Sequence, residues 1–425
     1  MAVFDAQVLQ ERRQRSFRDL HDNDLIVLVG AGHPIHKPGG LDQTYPFIPH
    51  PDYYWLTGSR RVGGILAFDP QDGWTHFEPP ISAAEQLWEG ATDPVDGRDV
   101  ARFPQWLEDR TNRSVVVLGA AIEGVESDSE RSAEVQSLLS KARRHKDSAE
   151  IDLIARAVSA TAAGHAKARE VIRPGVSERQ IQIEMEAEMF RRGADNTGYS
   201  TIVGTGTNSA VLHFMPSERV VEPNDMVLID SGGAIAGYTA DVTRTYPAGD
   251  RFTLQQQTLY DLVLEALRVS TAACQVGAEW HAVHHASAAV FAQGLRDWGI
   301  LKGSVDELLE NEAIALFFPH GVGHMVGLGV RDVGGRAPGR EEPRRSCGVT
   351  VRVDLPLEEG FLMTVEPGLY FVPALLDNPT RREQYRDVVD WEALEVWRPL
   401  GGVRIEDNVL ITAAGPEVLT SSIPK

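Results

Sequence analysis

The sequence predicts two domains of mixed structure, an α/β domain over residues 1–145 and an α+β domain over residues 146–425. Three observations lead there. A chain of 425 residues is long for a single hydrophobic core, because surface-to-volume scaling divides chains of this size. Up to about residue 145, short apolar strand patterns alternate with helical ones. Beyond it the texture changes to long helices, with β-rich blocks between and after them.

The elements follow in order. A charged helix over residues 5–20 leads into the apolar strand DLIVLVGAG. The aromatic stretch YPFIPHPDYYWLTG comes next, then strands in GGILAFDP and SVVVLGAA. Tyr53, Tyr54 and Trp55 are expected to pack in the core, with closure of a neighbour's site as the alternative. Asp147 and Glu150 form a capping pair for the first long helix, which Pro174-Gly175 ends. Ser177 and Gln180 open a second helix with the same spacing. Two more helices fit TLQQQTLYDLVLEALRVSTAACQVG and EWHAVHHASAAVFAQGLRDWG. The β-rich blocks are DMVLIDSGG, GYTADVTRTYPAG, FLMTVEPGLYF and GGVRIEDNVLIT. No short tandem repeat stands out.

Composition removes several function classes. At 42% hydrophobic and 24% charged residues, disorder is not expected. A formal charge of −20 argues against nucleic acid, which needs a basic footprint. Cys274 and Cys347 are the only cysteines, too few for a disulfide framework or a cysteine zinc cluster. The N-terminus lacks the apolar stretch of a signal peptide, and no apolar run approaches about 18 residues. The expectation is a soluble cytoplasmic protein with no membrane partner.

Four carboxylates stand out by their setting. Asp230 ends the run MVLID, Asp241 follows in GYTADVTRTY, Glu366 ends LMTVE, and Glu406 sits in VRIEDNVLIT. A lone acid of this kind is usually solvated or paired with an arginine. Four in apolar strands are expensive to bury unless cations compensate them. Gathered acids raise each other's pKa, and divalent ions remove that penalty. Formal charge −4 matches two such ions, which in hydrolytic sites activate a bridging water.

The stretch HGVGHMVGLGVRDVGG supplies imidazoles. His320 and His324 have the spacing of a helical zinc pair, but Gly321, Gly323, Gly327 and Gly329 disfavour helix. The spacing and context of a phosphate loop are absent as well. A glycine-rich strand or turn fits better, with one histidine as ligand and the other toward substrate. Oxygen-rich ligation with one imidazole suits Mn2+, with Zn2+, Co2+ or Fe2+ as alternatives.

These words, LIDSGG, TADVTRT, HGVGH, TVEPGLYF and GVRIED, resemble those of the pita-bread (creatinase/aminopeptidase-like) metallopeptidases over residues 145 to 420. The N-terminal part, chiefly PHPDYYWLTG, resembles the creatinase-type domain of the Xaa-Pro peptidases, prolidase and aminopeptidase P. The resemblance implies five metal ligands, Asp230, Asp241, His324, Glu366 and Glu406, with Asp241 and Glu406 bridging two ions. It implies proton exchange at Glu366, a histidine near the scissile bond at His213, and one lining the proline pocket at His320. Tyr238 and Arg404 match positions that orient the aspartates. Relatives of this kind are often homodimers.

Two features favour the proline-cleaving branch, and within it prolidase. One is the N-terminal domain. The other is the insertion between Tyr370 and Gly401, which resembles the prolidase insertion, including its D-W-x-x-L-E-x-x-R-P-L-G-G ending. The expected activity is therefore hydrolysis of Xaa-Pro dipeptides or short proline-containing peptides. The alternatives are an aminopeptidase P acting on longer peptides, or a non-catalytic binding module. One residue departs from the pattern. Arg331 stands where relatives carry a histidine, and a permanent cation cannot act as neutral imidazole. Either Arg331 still donates one hydrogen bond, or its planar fork binds a substrate carboxylate.

Overall fold

The computed structural model describes residues 3–40, 43–90, 96–340, 342 and 344–425. They form two compact units, Met1–Arg143 and Arg144–Lys425.

The first unit is built on a five-stranded mixed sheet. Leu25–Gly30 lies between Ile65–Asp69, antiparallel, and Ser114–Gly119, parallel. Every residue of Leu25–Gly30 is buried, which is why LIVLVG runs without polar alternation. Gly73–Glu78 and Arg98–Asp99 extend the other edge. Neither was expected. The first is half-buried and reads GWTHFE, and the second is a two-residue exposed pair, so neither carries a clear apolar signal. The aromatic stretch contains the helix Pro51–Thr57, with proline in its first turn and Gly58 left-handed (φ 67°) at its C-cap. Tyr53, Tyr54 and Trp55 are buried in this unit, as core packing requires.

The second unit repeats one plan twice. Helices Ser148–Val171 and Glu178–Arg191 pack together and cover a sheet of Val242–Pro247, Met226–Ser231 and Ile202–Thr205. Helices Leu254–Ala273 and Trp280–Asp297 pack together and share the largest core with Leu362–Val365 and Asp407–Thr412. Capping fixes where these helices start. Asp147 and Glu150 exchange both bonds of a capping box at 3.0 and 3.1 Å, and Ser177 and Gln180 do so at 3.2 and 2.9 Å. Each such cap stabilises its helix by about 1 kcal/mol.

The sheets place the acidic residues. Met226–Ser231 and Val242–Pro247 pair antiparallel with Thr243 opposite Asp230. Glu366 directly follows Leu362–Val365, and Glu406 directly precedes Asp407–Thr412, its antiparallel partner. Among the described residues, no helix is long and apolar enough to cross a membrane.

Candidate metal centre

Asp230 lies on the strand Met226–Ser231, and Asp241 and Glu406 directly precede the strands Val242–Pro247 and Asp407–Thr412. A carboxylate oxygen of each lies within 4.8 Å of the others, a spacing one ion could span. They are 8%, 4% and 1% exposed, so water screens little of their mutual repulsion. Burial first, and then the neighbouring acids, push Asp241 and Glu406 well above the usual carboxylate range. Burial likewise lifts Glu366 to about 7 against the opposing charge of Arg404.

Close backbone approach makes this gathering possible. A Cβ on Gly232 would lie 1.8 Å from the Ala240 carbonyl, so only glycine lets the Asp230 strand run that close to Asp241. A Cβ on Gly323 would lie 2.0 Å from the Thr364 carbonyl. That contact seats His324 against Leu362–Val365, where its N–H donates to Thr364 Oγ1 at 2.9 Å and its carbonyl accepts from Thr364 N–H at 2.8 Å.

The His324 ring is oriented by the same loop. Its Nδ1 lies 3.0 Å from the Met325 carbonyl. A carbonyl only accepts, so Nδ1 carries the proton and Nε2 keeps its lone pair. Nε2 faces Asp241 Oδ2 at 3.4 Å and Glu366 Oε1 at 3.6 Å. Burial, with help from the charge of Arg331, lowers the imidazole to about 4 and keeps it neutral. A lone pair aimed at two carboxylate oxygens is repulsive unless a cation lies between them. The donor set, oxygen-rich with one imidazole, fits a divalent ion of the Mn2+ type.

The surrounding groups hold the carboxylates in place. Arg404 donates to Asp230 Oδ2 at 2.6 Å, to the Tyr370 hydroxyl at 2.9 Å and to Thr243 Oγ1 at 3.1 Å. Thr243 Oγ1 donates to Glu406 Oε2 at 2.6 Å. Asn408 takes the Asp241 N–H at 3.0 Å and donates to its carbonyl at 2.6 Å. The Tyr199 hydroxyl lies 2.6 Å from Asp230 Oδ1 and 2.5 Å from Asp241 Oδ1, bridging the two acids.

Every expected site residue except Tyr238 lines one cavity of about 890 Å3: the four acids and the His324 imidazole, Arg404, His213, His320 and Arg331. Tyr238 is a correction. It is fully buried elsewhere, its hydroxyl 3.2 Å from Glu150 Oε1, and Tyr199 is the tyrosine on the two aspartates. Tyr199 has no apolar pattern to announce it. Only the register that sets Ile202 opposite Asp230 brings residue 199 to the acids. His320 is held between the Gly321 carbonyl at 2.8 Å and the Tyr370 hydroxyl at 2.9 Å, and burial lowers it to about 3. Arg331 is exposed on the cavity wall. Its neighbour Asp332 forms a buried pair with Lys146 Nζ at 2.8 Å.

Glu279, His281 and Asp354 make a second group of possible ligands, but its charge is already met. Arg340 pairs with both Glu279 at 2.9 Å and Asp354 at 2.7 Å, and Arg344 lies 3.5 Å from Asp354.

Residues 152–413 match the sequence pattern of metallopeptidase family M24, and residues 9–99 match the aminopeptidase P N-terminal domain. A probable Xaa-Pro aminopeptidase of Tuber melanosporum is 33% identical over 98% of this chain and 92% of its own length. The Xaa-Pro aminopeptidase of Escherichia coli is 30% identical over 100% and 97%. Among solved structures, aminopeptidase PepP of Pseudomonas aeruginosa superposes with a TM-score of 0.82 at 28% identity, over 100% of this chain and 97% of that one. The two-domain expectation, α/β followed by pita-bread α+β, agrees with these likenesses.

Proposed function

This chain belongs to metallopeptidase family M24, and from that premise we propose that it is a Xaa-Pro aminopeptidase, releasing the first residue from peptides with proline second. The observation that carries this reading is the likeness to Xaa-Pro aminopeptidases along both units, insertion included. The insertion after Tyr370 therefore does not single out a dipeptidase, and the aminopeptidase reading is preferred to the prolidase one. A metallopeptidase with this donor set also leaves little room for a binding module without chemistry.

Asp230, Asp241 and Glu406 would hold the ions on one side, with His324 and Glu366 completing the set. Two divalent ions, Mn2+ by the donor chemistry, would supply water activation and polarise the scissile carbonyl. The chain's own residues do the rest. The free α-amino group enters among the carboxylates. Glu366 takes a proton from the attacking water at its carboxylate and returns it to the departing proline nitrogen. His320, fixed from both ring nitrogens, forms a wall for the proline ring, and His213 lies on the same cavity near the cleaved bond. Arg404 and Tyr199 keep the aspartates aimed inward.

Product analysis tests the reading. The Mn2+-loaded protein is expected to release free alanine from Ala-Pro-Ala and from longer Ala-Pro peptides, leaving peptides that begin with proline. Cleavage confined to Ala-Pro and Gly-Pro dipeptides would overturn it in favour of prolidase.

A further inference from the structure

A second cavity, of about 520 Å3, shares the wall residues Pro319, Arg345, Gly348 and Val349 with the main one. Its far side comes from the insertion after Tyr370, through Leu375 on the helix Pro373–Leu376 and Arg381 on the helix Pro379–Gln384. The main cavity alone, at about 890 Å3, is in the range of sites that hold drug-sized ligands and exceeds what one Xaa-Pro unit occupies. The shared wall is the turn of the hairpin Arg345–Ser346 and Val349–Thr350. Arg345 stands there, tied to Glu312 at 3.0 Å and to the Gly348 carbonyl at 2.8 Å.

Beyond the four acids of the metal centre, charge along this path runs against the rest of the molecule. The chain carries −20, yet Arg331 and Arg352 line the main cavity, Arg345 the junction and Arg381 the second cavity. In the second cavity Glu312 and Arg345 neutralise each other, so its net positive charge comes from Arg381. Cations lining a concave path in an acidic protein attract an anionic ligand and set its orientation.

We propose that the two cavities form one groove, in which the second cavity binds the peptide residues downstream of proline and favours a carboxylate there. This rests on the aminopeptidase reading above and adds a substrate class to it. The insertion is then a specificity element for long, acidic peptides.

The test compares Ala-Pro-Ala-amide with Ala-Pro-Ala-Glu-Ala-amide and Ala-Pro-Ala-Lys-Ala-amide on the Mn2+-loaded protein. The Glu peptide is expected to exceed the Lys peptide in kcat/KM by about fivefold, as exposed charge pairs allow, chiefly through KM. Arg381→Glu is expected to abolish or invert that ratio, and a ratio measured within one variant is independent of its folded fraction. Cleavage of all three peptides with a Glu to Lys ratio near one, or a ratio unmoved by Arg381→Glu, overturns the proposal alone. Cleavage of none overturns the aminopeptidase reading together with it.

Discussion

Glu406 and Asp407 are consecutive, both are buried, and their surroundings treat them in opposite ways. Strand alternation sends them to opposite faces. Glu406 turns toward Asp230 and Asp241, where burial and the other acids raise its pKa. Asp407 turns toward Arg244 at 2.9 Å and Lys425 at 2.8 Å. Burial alone would raise Asp407, but those cations hold it below the usual range. The strand Val242–Pro247 sorts the same way, with Thr243 donating to Glu406 and Arg244 to Asp407. A buried acid in this fold is thus either neutralised by the chain itself or left for a cation from outside. Arg404 shows the boundary: it satisfies Asp230 but leaves Asp241 and Glu406 uncompensated.

The sharpest way to break the comparison is to neutralise each acid in turn. Glu406→Gln should lower kcat/KM by at least about a thousandfold, because ion-supplied stabilisation of the transition state amounts to several kcal/mol. The same change should raise the Tm of metal-free protein, since it removes a buried repulsive charge. Asp407→Asn should do the reverse to stability, lowering it by about 3–5 kcal/mol with or without metal, because Arg244 is left buried without its anion. Calorimetry on both variants, metal-free and loaded, checks the pair.

The two acids should also part with pH. Asp241, Glu366 and Glu406 have folded pKa values above their unfolded ones. Folding then takes up protons, so metal-free stability falls as pH rises from about 4 toward 7. Asp407 has a folded pKa below its unfolded one, so its contribution is present above about pH 4 and is lost on acidification. Tm of chelated protein from pH 4 to 8 should therefore decline, and the decline should shrink in Glu406→Gln but not in Asp407→Asn.

Smaller effects sharpen the picture around the ions. Tyr199→Phe removes the hydroxyl shared by Asp230 and Asp241 and should weaken metal affinity by about 10–100-fold, read by metal titration. Arg331→Ala should lower kcat/KM on Ala-Pro-Ala more than on its amide, by about fivefold, if Arg331 meets the terminal carboxylate. Equal loss on both would leave it a plain hydrogen-bond donor.

Much of this was legible from local chemistry. The capping pairs Asp147–Glu150 and Ser177–Gln180 lie close in sequence, and the structure forms both. Asp230, Asp241, Glu366 and Glu406 announced themselves as charges embedded in strand-like apolar context, a feature visible one strand at a time. Tyr199 and Asn408 did not, because their roles depend on registers between strands far apart in the chain. Tyr238, expected there from the resemblance alone, instead places its hydroxyl on Glu150. The downstream cavity was hidden most completely, since an insertion's sequence does not say which wall it builds.

The central claim is that the uncompensated acids form the divalent-metal centre of a hydrolase. It is tested most directly by titrating Mn2+ into chelated protein while following release of alanine from Ala-Pro-Ala. Activity should be absent without metal and should return, reaching its plateau at about two equivalents per chain. Full activity after chelation, or a protein that takes up no ion, would contradict it.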